Sequence, residues 1–495
     1  MSDDRPNILF LFSDQHAQNV AGCYGAPIVQ TPALDQLAAE GVTFDNAYTT
    51  APLCTPARMA MLTAQYSHKI GCWTNSDILA SDIPTHAHSL GAAGYRPTLI
   101  GRLHSIGPDQ LHGYVDRRVG DHSTNWVGGH AHGMGVLDRA QEPFRVSLER
   151  SGPGQSAYEV KDRDVLEATL AYLDEIKIAR KKGDKKPFAA TVGLMLPHQP
   201  YVCSPEDFSY YDGKVGLPRL AAPGDNAEHP YLREWRRFTD SLDLPDDWQV
   251  RARTAYYGLT TAMDRMIQQI LDRLEANGLA DNTLVVYASD HGDQLGERGL
   301  WWKQTFHEQS IKVPLIMRWA GRLPTGERRS QVVNLLDLAS TMLDAAGAPP
   351  LPKAQGRSFL EVARDQRTPW SDLTFAEYCT DGLARWTGAV VQQRMVREGR
   401  YKLVYYHGHR PQLFDLEADP DETVDLAQSE KHAGVRDALV ARVLDGWDPD
   451  EIALEQKHRI ANKRLLSDWA RTAEPDEAHR WDLKMEDNWL AEQAS

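Results

Sequence analysis

Cys54-Thr55-Pro56-Ala57-Arg58 sets a thiol and a guanidinium on either side of a helix-starting proline. Proline in the first helical turn gives up no useful donor and already has a helical φ, so a helix beginning at Thr55 or Pro56 is expected. Cys54 then sits at the helix N-terminus, where free N–H groups and the macrodipole favour negative charge. Arg58, about one turn on, returns to the same face and can clamp the same anion. The chemistry on offer is a nucleophile facing an anionic centre. A buried cysteine ahead of an ordinary helix has the same spelling, so the motif's companions decide.

Those companions fall where apolar runs stop. Asp14-Gln15 follow Asn7-Ile8-Leu9-Phe10-Leu11-Phe12, and Asp290-His291 follow Leu284 to Ala288 and open a glycine-rich turn, Gly292 to Gly299. Two oxygen-rich pairs at two strand ends suit a hard divalent cation such as Ca²⁺ or Mg²⁺. Taken singly, each aspartate is equally a turn or helix cap. His104 lies in Gly101-Arg102-Leu103-His104, His198 in Pro197-His198-Gln199-Pro200, and Lys303 just past the glycine-rich turn.

The elements that must position these residues read as strands alternating with helices. Strands are expected at Asn7 to Phe12, Pro97 to Ile100, Phe188 to Leu196, Leu284 to Ala288 and Val313 to Trp319, with helices at Val165 to Ile178 and Ala255 to Asn277. This pattern indicates an α/β fold with a large, mainly parallel sheet flanked by helices. Ligands gather beyond the carboxyl ends of such strands, which is where the polar residues above fall. After Pro349-Pro350-Leu351-Pro352 the texture changes. Leu373 to Tyr378, Ala389 to Arg397, Tyr401 to Tyr406 and Gln412 to Asp415 read as a small antiparallel sheet covered by a helix, His432 to Leu444. The expected division is a catalytic domain over 1–370, a small α+β subdomain over 371–450 and a tail over 451–495. The tail is charged and helical in propensity and carries Trp469, Trp481 and Trp489, residues suited to packing on the body or on a neighbouring subunit.

A net charge of −15 over 495 residues argues against nucleic acid as a partner. Five scattered cysteines without a Cys-x-x-Cys suit a reducing compartment, and no window has the length and apolarity of a membrane span. With no signal-peptide pattern ahead of the first strand, a cytoplasmic location is expected.

The ordered set Arg5-Pro6-Asn7-Ile8-Leu9 to Asp14-Gln15, Thr31-Pro32-Ala33-Leu34-Asp35-Gln36-Leu37-Ala38, Cys54 to Arg58, Met61-Leu62-Thr63-Ala64, Gly101 to His104, Ala288 to Gly292, Lys303, Pro314-Leu315-Ile316 and Gln412 to Leu416 resembles the type I, formylglycine-dependent sulfatases of the alkaline phosphatase superfamily. The resemblance implies an alkaline-phosphatase-like sandwich and conversion of Cys54 to formylglycine by a formylglycine-generating enzyme. Asp14, Gln15, Asp290, His291 and the modified Cys54 match the metal set, with Ca²⁺ the expected ion and Mn²⁺ or Mg²⁺ as alternatives. Arg58, His104, His198 and Lys303 match the catalytic and sulfate-binding set. In the implied reaction Asp290 accepts the proton of the attacking hydroxyl, and Arg58 and Lys303 bear the charge of the transferring group. His198 or Lys303 protonates the leaving oxygen, and His104 takes the proton that releases sulfate.

Two departures narrow the subgroup. Arg102 stands where the common pattern Gly-Lys-x-His has lysine, and Gln15 stands where many sulfatases have a second aspartate. The Asp-Gln pair resembles choline sulfatases and phosphonate monoester hydrolases. Asn75, in Trp73-Thr74-Asn75, and the run Gly107 to Gly113 resemble the choline-sulfatase branch, and Asn75 and Arg102 are assigned to substrate binding. The stretch Arg117 to Ser156, with His122, Trp126, His130 and His132, lines the expected pocket mouth but matches no choline-binding aromatic box. The expected activity is hydrolysis of a small-molecule sulfate ester by a homo-oligomer, dimer or tetramer. A phosphonate monoester or phosphodiester hydrolase with the same nucleophile is the rival reading. His104 speaks against it, since tyrosine and threonine replace the Gly-Lys-x-His region in that branch. A non-catalytic anion-binding relative predicts an unmodified Cys54 and no turnover.

Overall fold

The computed structural model describes residues 5–224, 228–381 and 391–491. The apolar run at the start becomes strand β1 (Asn7–Asp14), buried along its whole length, so Asp14 is the strand's last residue. Its alternate residues feed two cores. Leu9 and Leu11 face one layer, and Ile8, Phe10 and Phe12 the other. Around β1 lie β2 (Val42–Tyr48), β3 (Arg96–Gly101), β4 (Asp116–Arg118), β5 (Phe188–Pro197), β6 (Thr283–Ser289), β7 (Leu315–Arg318) and β8 (Glu327–Asn334). They form an eight-stranded sheet in the order β8-β2-β7-β6-β1-β5-β3-β4. Only β7 runs antiparallel to its neighbours, so the carboxyl ends of the other strands share one edge.

Helices α1 (Cys54–Thr63), α2 (Ala157–Lys181), α3 (Asp246–Ala276) and α4 (Leu335–Ala345) cover the two faces. Val165 and Leu173 of α2 and Leu259, Met263 and Ile267 of α3 pack with Leu9 and Leu11. Met59 and Leu62 of α1 and Leu338 and Met342 of α4 pack with Phe10 and Phe12. The expected strand Val313 to Trp319 shortens to β7, and both helices read from periodicity begin earlier than expected, at Ala157 and Asp246.

The second sheet is antiparallel, in the order β9 (Leu373–Cys379), β10 (Gln392–Glu398), β11 (Tyr401–Tyr406) and β12 (Gln412–Asp415). Residues 389 and 390 of the second expected strand of this sheet lie outside the described residues. Leu439 and Val443 of α5 (Ala433–Leu444) cover Val396, Leu403 and Leu413. Buried Lys402 of β11 donates to the Phe306 carbonyl at 2.8 Å and to Glu308 at 2.8 Å, fastening this sheet to the loop that follows Lys303.

The tail is helical only as far as Ala473, in α6 (Pro449–Ala473). Pro475 ends it by excluding the α conformation from the residue before it, and Glu474 turns left-handed at φ 45°. The chain then runs back along the body and adds Trp489–Leu490 antiparallel to Gly152–Gln155. No helix among the described residues is long and apolar enough to cross a membrane.

Candidate active site

Helix α1 starts at Cys54 itself, one residue earlier than the proline suggests. Its N-cap, Leu53, offers no side-chain acceptor, and Asn75 Oδ1 takes the Thr55 N–H at 3.0 Å instead. The Cys54 Sγ lies 3.2 Å from Lys303 Nζ, 3.2 Å from His291 Nε2 and 3.7 Å from Asp14 Oδ1. Residues from three distant parts of the chain thus meet at one buried sulfur.

Arg58 is wholly buried, 4.6 Å over the Phe12 ring. Its Nε donates to Asp290 Oδ2 at 2.8 Å and its Nη2 to Asp14 Oδ2 at 3.2 Å. Asp290 Oδ1 accepts the backbone N–H groups of Gln15 and His291, at 3.1 and 2.9 Å, which ties the ends of β1 and β6 together. Burial opposes ionisation of Asp14, yet Arg102, His198, Arg58 and Lys303 hold its carboxyl well below the usual range.

Hydrogen-bond direction settles the protons. The Gly292 carbonyl, 3.1 Å from His291 Nδ1, can only accept, so the lone pair of a neutral His291 is on Nε2, facing Cys54. The Gln199 carbonyl does the same to His198 Nδ1 at 2.5 Å, leaving His198 Nε2 to accept from Lys303 Nζ at 2.9 Å. Burial, reinforced for His198 by Lys303, takes both imidazoles down to about 4. Lys303 Nζ also donates to Gln15 Oε1 at 2.6 Å, so its three N–H groups match three acceptors: His198, Gln15 and Cys54. The Gln15 amide nitrogen is in turn held by Gln199 Oε1 at 2.7 Å and Asp293 Oδ2 at 2.6 Å.

Arg102 uses its whole fork. Nε donates to Asp14, Nη1 to Asp121 Oδ1 at 3.1 Å and Nη2 to His104 Nδ1 at 2.7 Å. Asp121 Oδ2 accepts the His104 backbone N–H at 2.7 Å. Burial and then Arg102 keep His104 neutral, its pKa well below the usual value. Gly193 of β5 makes room for this bend, because a Cβ there would lie 1.9 Å from the Arg102 carbonyl oxygen. Gln15, His104, Trp302 and Gln304 all have positive φ, 58 to 70°, at about 1–3 kcal/mol each, strain that the surrounding contacts hold in place.

A lysine at 102 has one nitrogen and cannot reach Asp14, Asp121 and His104 in the same plane. Arg102→Lys is therefore expected to lower kcat/KM by about 10- to 100-fold, with the chain still folded, in an aryl sulfate assay paired with a melting curve. Acid is expected to destabilise the protein. His16, His86, His122, His198, His229 and His291 are held near 4 against 6.5 by burial, so the unfolded chain binds more protons between those values. Their stabilising effect is present above about 6.5 and is lost as pH falls toward 4, which a melting temperature lower at about pH 5 than at about pH 7 would register.

The sequence reading missed Asp121, Gln199, Asp293 and Tyr158. Asp121 follows a strand of three residues, too short for a periodicity signal. Gln199 and Asp293 sit beside His198 and His291 and escape notice because their partners are distant in the chain. Tyr158 meets His198 edge-on at 5.9 Å and His122 at 4.6 Å, from the first turn of α2.

Residues 6–348 match the Sulfatase family. The chain belongs to that family. Residues 296–446 also match the family described as N-sulphoglucosamine sulphohydrolase, C-terminal. Among individual sulfatases, the choline-sulfatase of Rhizobium meliloti is 30% identical over 456 residues, covering 87% of this chain and 84% of that protein. The rat arylsulfatase K is 28% identical, covering 85% and 75%. The phosphonate monoester hydrolase of Agrobacterium radiobacter has the same fold, with a TM-score of 0.71 at 23% identity over 91% of this chain and 96% of the other. BT4656, solved in complex with its substrate D-glucosamine-2-N,6-O-disulfate, gives 0.70 at 23%, covering 90% and 99%. The architecture is thus the alkaline-phosphatase-like one that the motifs imply, and this sulfatase is an enzyme whose relatives hydrolyse sulfate esters.

Proposed function

We propose that the enzyme hydrolyses a small-molecule sulfate ester with a nucleophile derived from Cys54. One observation carries the reading: Sγ of residue 54, at a helix N-terminus, lies in reach of an ammonium, an imidazole lone pair and a carboxylate at once. Conversion of Cys54 to formylglycine would supply a hydrated aldehyde, an oxygen nucleophile whose ester can be released without a second attack at sulfur.

The donor set fits a divalent cation. Ligand atoms of Asp14, Cys54, Asp290 and His291 lie within 4.8 Å of one another, and Gln15 stands beside them on the same turn. Carboxylate, amide oxygen and one imidazole suit a hard ion, with Ca²⁺ the proposed one. Bound there, the cation would supply Lewis-acid charge against the oxygens of the transferring group.

The protein's own residues do the rest. Arg58 holds Asp14 and Asp290 in register and brings positive charge to the site. Lys303 carries the proton and His198 accepts its hydrogen bond, so the arrangement favours Lys303 as the donor to the leaving oxygen, with His198 orienting it. His104 accepts from Arg102 through Nδ1, so the neutral ring offers a proton at Nε2, and taking one requires that contact to open.

The test is steady-state kinetics on metal-loaded protein with aryl sulfate, choline sulfate, a sugar sulfate and phenyl phosphonate, together with the mass of the peptide carrying residue 54. Sulfate esters turned over fastest by converted protein support the reading. Faster phosphonate cleavage favours the rival hydrolase, and full activity with unmodified Cys54 overturns the nucleophile.

A further inference from the structure

Asp121 belongs to none of the motifs, yet it is the residue through which Arg102 and His104 are both aimed. It is 2% exposed, with Oδ1 on Arg102 and Oδ2 on the His104 backbone. The strand before it, β4, is the sheet's edge and pairs only on its β3 side within that sheet. An edge strand of three residues holds a following loop weakly. What braces this loop from outside is the C-terminal segment.

The contacts are dense and mostly polar. The Trp481 N–H donates to the Asp121 carbonyl at 2.8 Å. The Glu477 carboxylate accepts from Thr124 Oγ1 at 2.7 Å and from the Asn125 N–H at 2.6 Å. Asn125 Nδ2 donates to the Ala478 carbonyl at 2.8 Å, and Arg480 Nε to the His122 carbonyl at 3.1 Å. Trp481 Nε1 reaches Asp164 of α2 at 2.7 Å, so the segment is anchored on a second element. Gly120 lies tight against the strap, since a Cβ there would stand 1.2 Å from the His479 carbonyl oxygen.

We propose that residues 476–481 form a strap that fixes Asp121, and through it the aim of Arg102 and His104, so that the C-terminal segment sets the turnover of the site through Asp121. Asp121 is a positioning residue in this scheme, and the strap is its support. The inference rests on the reading of the site given above.

The variants are made in the full chain. Gly120→Ala has no positive-φ penalty and forces the strap away. Trp481→Pro deletes the strap's backbone N–H to the Asp121 carbonyl, whereas Trp481→Phe keeps it. Each is assayed as metal-loaded protein with 4-nitrophenyl sulfate and by hydrogen exchange of peptides spanning 100–106 and 119–126. The expected result for Gly120→Ala and Trp481→Pro is a fall in kcat of about tenfold or more with KM moving far less, faster exchange in both peptides, and wild-type exchange in β1 and β6. Trp481→Phe loses the Asp164 contact but keeps that N–H, and should lose much less than Trp481→Pro. Unchanged kcat, unchanged exchange at 100–106, or an equal loss in Trp481→Phe and Trp481→Pro overturns the strap. If wild-type protein with converted Cys54 hydrolyses no ester, the functional reading has failed, and the exchange experiment alone decides the strap.

Discussion

Cys54→Ala is expected to lower kcat/KM by about 10⁴-fold or more while leaving the fold intact. The thiol is small and 1% exposed, alanine is the better helix former, and Leu53 and Asn75 still set the start of α1. Lys303 keeps His198 and Gln15 as acceptors, and His291 keeps its bond to Gly292, so no buried charge is left stranded. The loss should therefore be chemical, not structural. The check is kcat/KM on metal-loaded protein beside a melting curve. Substantial turnover by the alanine variant would move the nucleophile elsewhere.

Arg58→Ala is expected to cost both activity and stability. Removing one partner of a buried ion pair leaves an uncompensated charge, at about 3–5 kcal/mol. Here Asp290 loses its 2.8 Å partner and Asp14 one of two guanidinium partners, with no solvent to replace them. Two buried carboxylates then face each other across the proposed cation site, so added Ca²⁺, binding the folded chain alone, should recover part of the lost melting temperature. Denaturant unfolding with and without the ion measures both effects. A variant as stable as wild type, indifferent to Ca²⁺, would show that Arg58 does not neutralise this pair.

Much of this was legible because the groups concerned lie where regular elements end. Asp14, Arg102, His198 and Asp290 each terminate or follow an apolar run, and the βα alternation sends those ends to one edge of the sheet. β1 and β5 announced themselves by uninterrupted burial, which a parallel strand covered on both faces requires. β2 and β8 were not recognised, because polar residues interrupt them: Thr43, Asp45 and Asn46 in the first, Glu327, Arg328, Arg329 and Gln331 in the second. The helical reading of the tail failed at Pro475, where a local backbone restriction outweighs the helix propensity of the flanking residues.

The sequence by itself determined which reactive groups exist, that they fall at strand ends, and that a thiol stands at a helix start one turn before an arginine. It could not say who holds whose proton. That His198 accepts from Lys303, that Arg102 fixes the tautomer of His104, and that Asp121 steadies both follow from distances between residues far apart in the chain. Hydrogen-bond direction depends on which acceptor lies within about 3 Å of which donor, a property of the packed loops and not of spacing along the chain. The same holds for the tail. Its tryptophans suggested contact with something, and only the folded chain placed Trp481 against the Asp121 carbonyl.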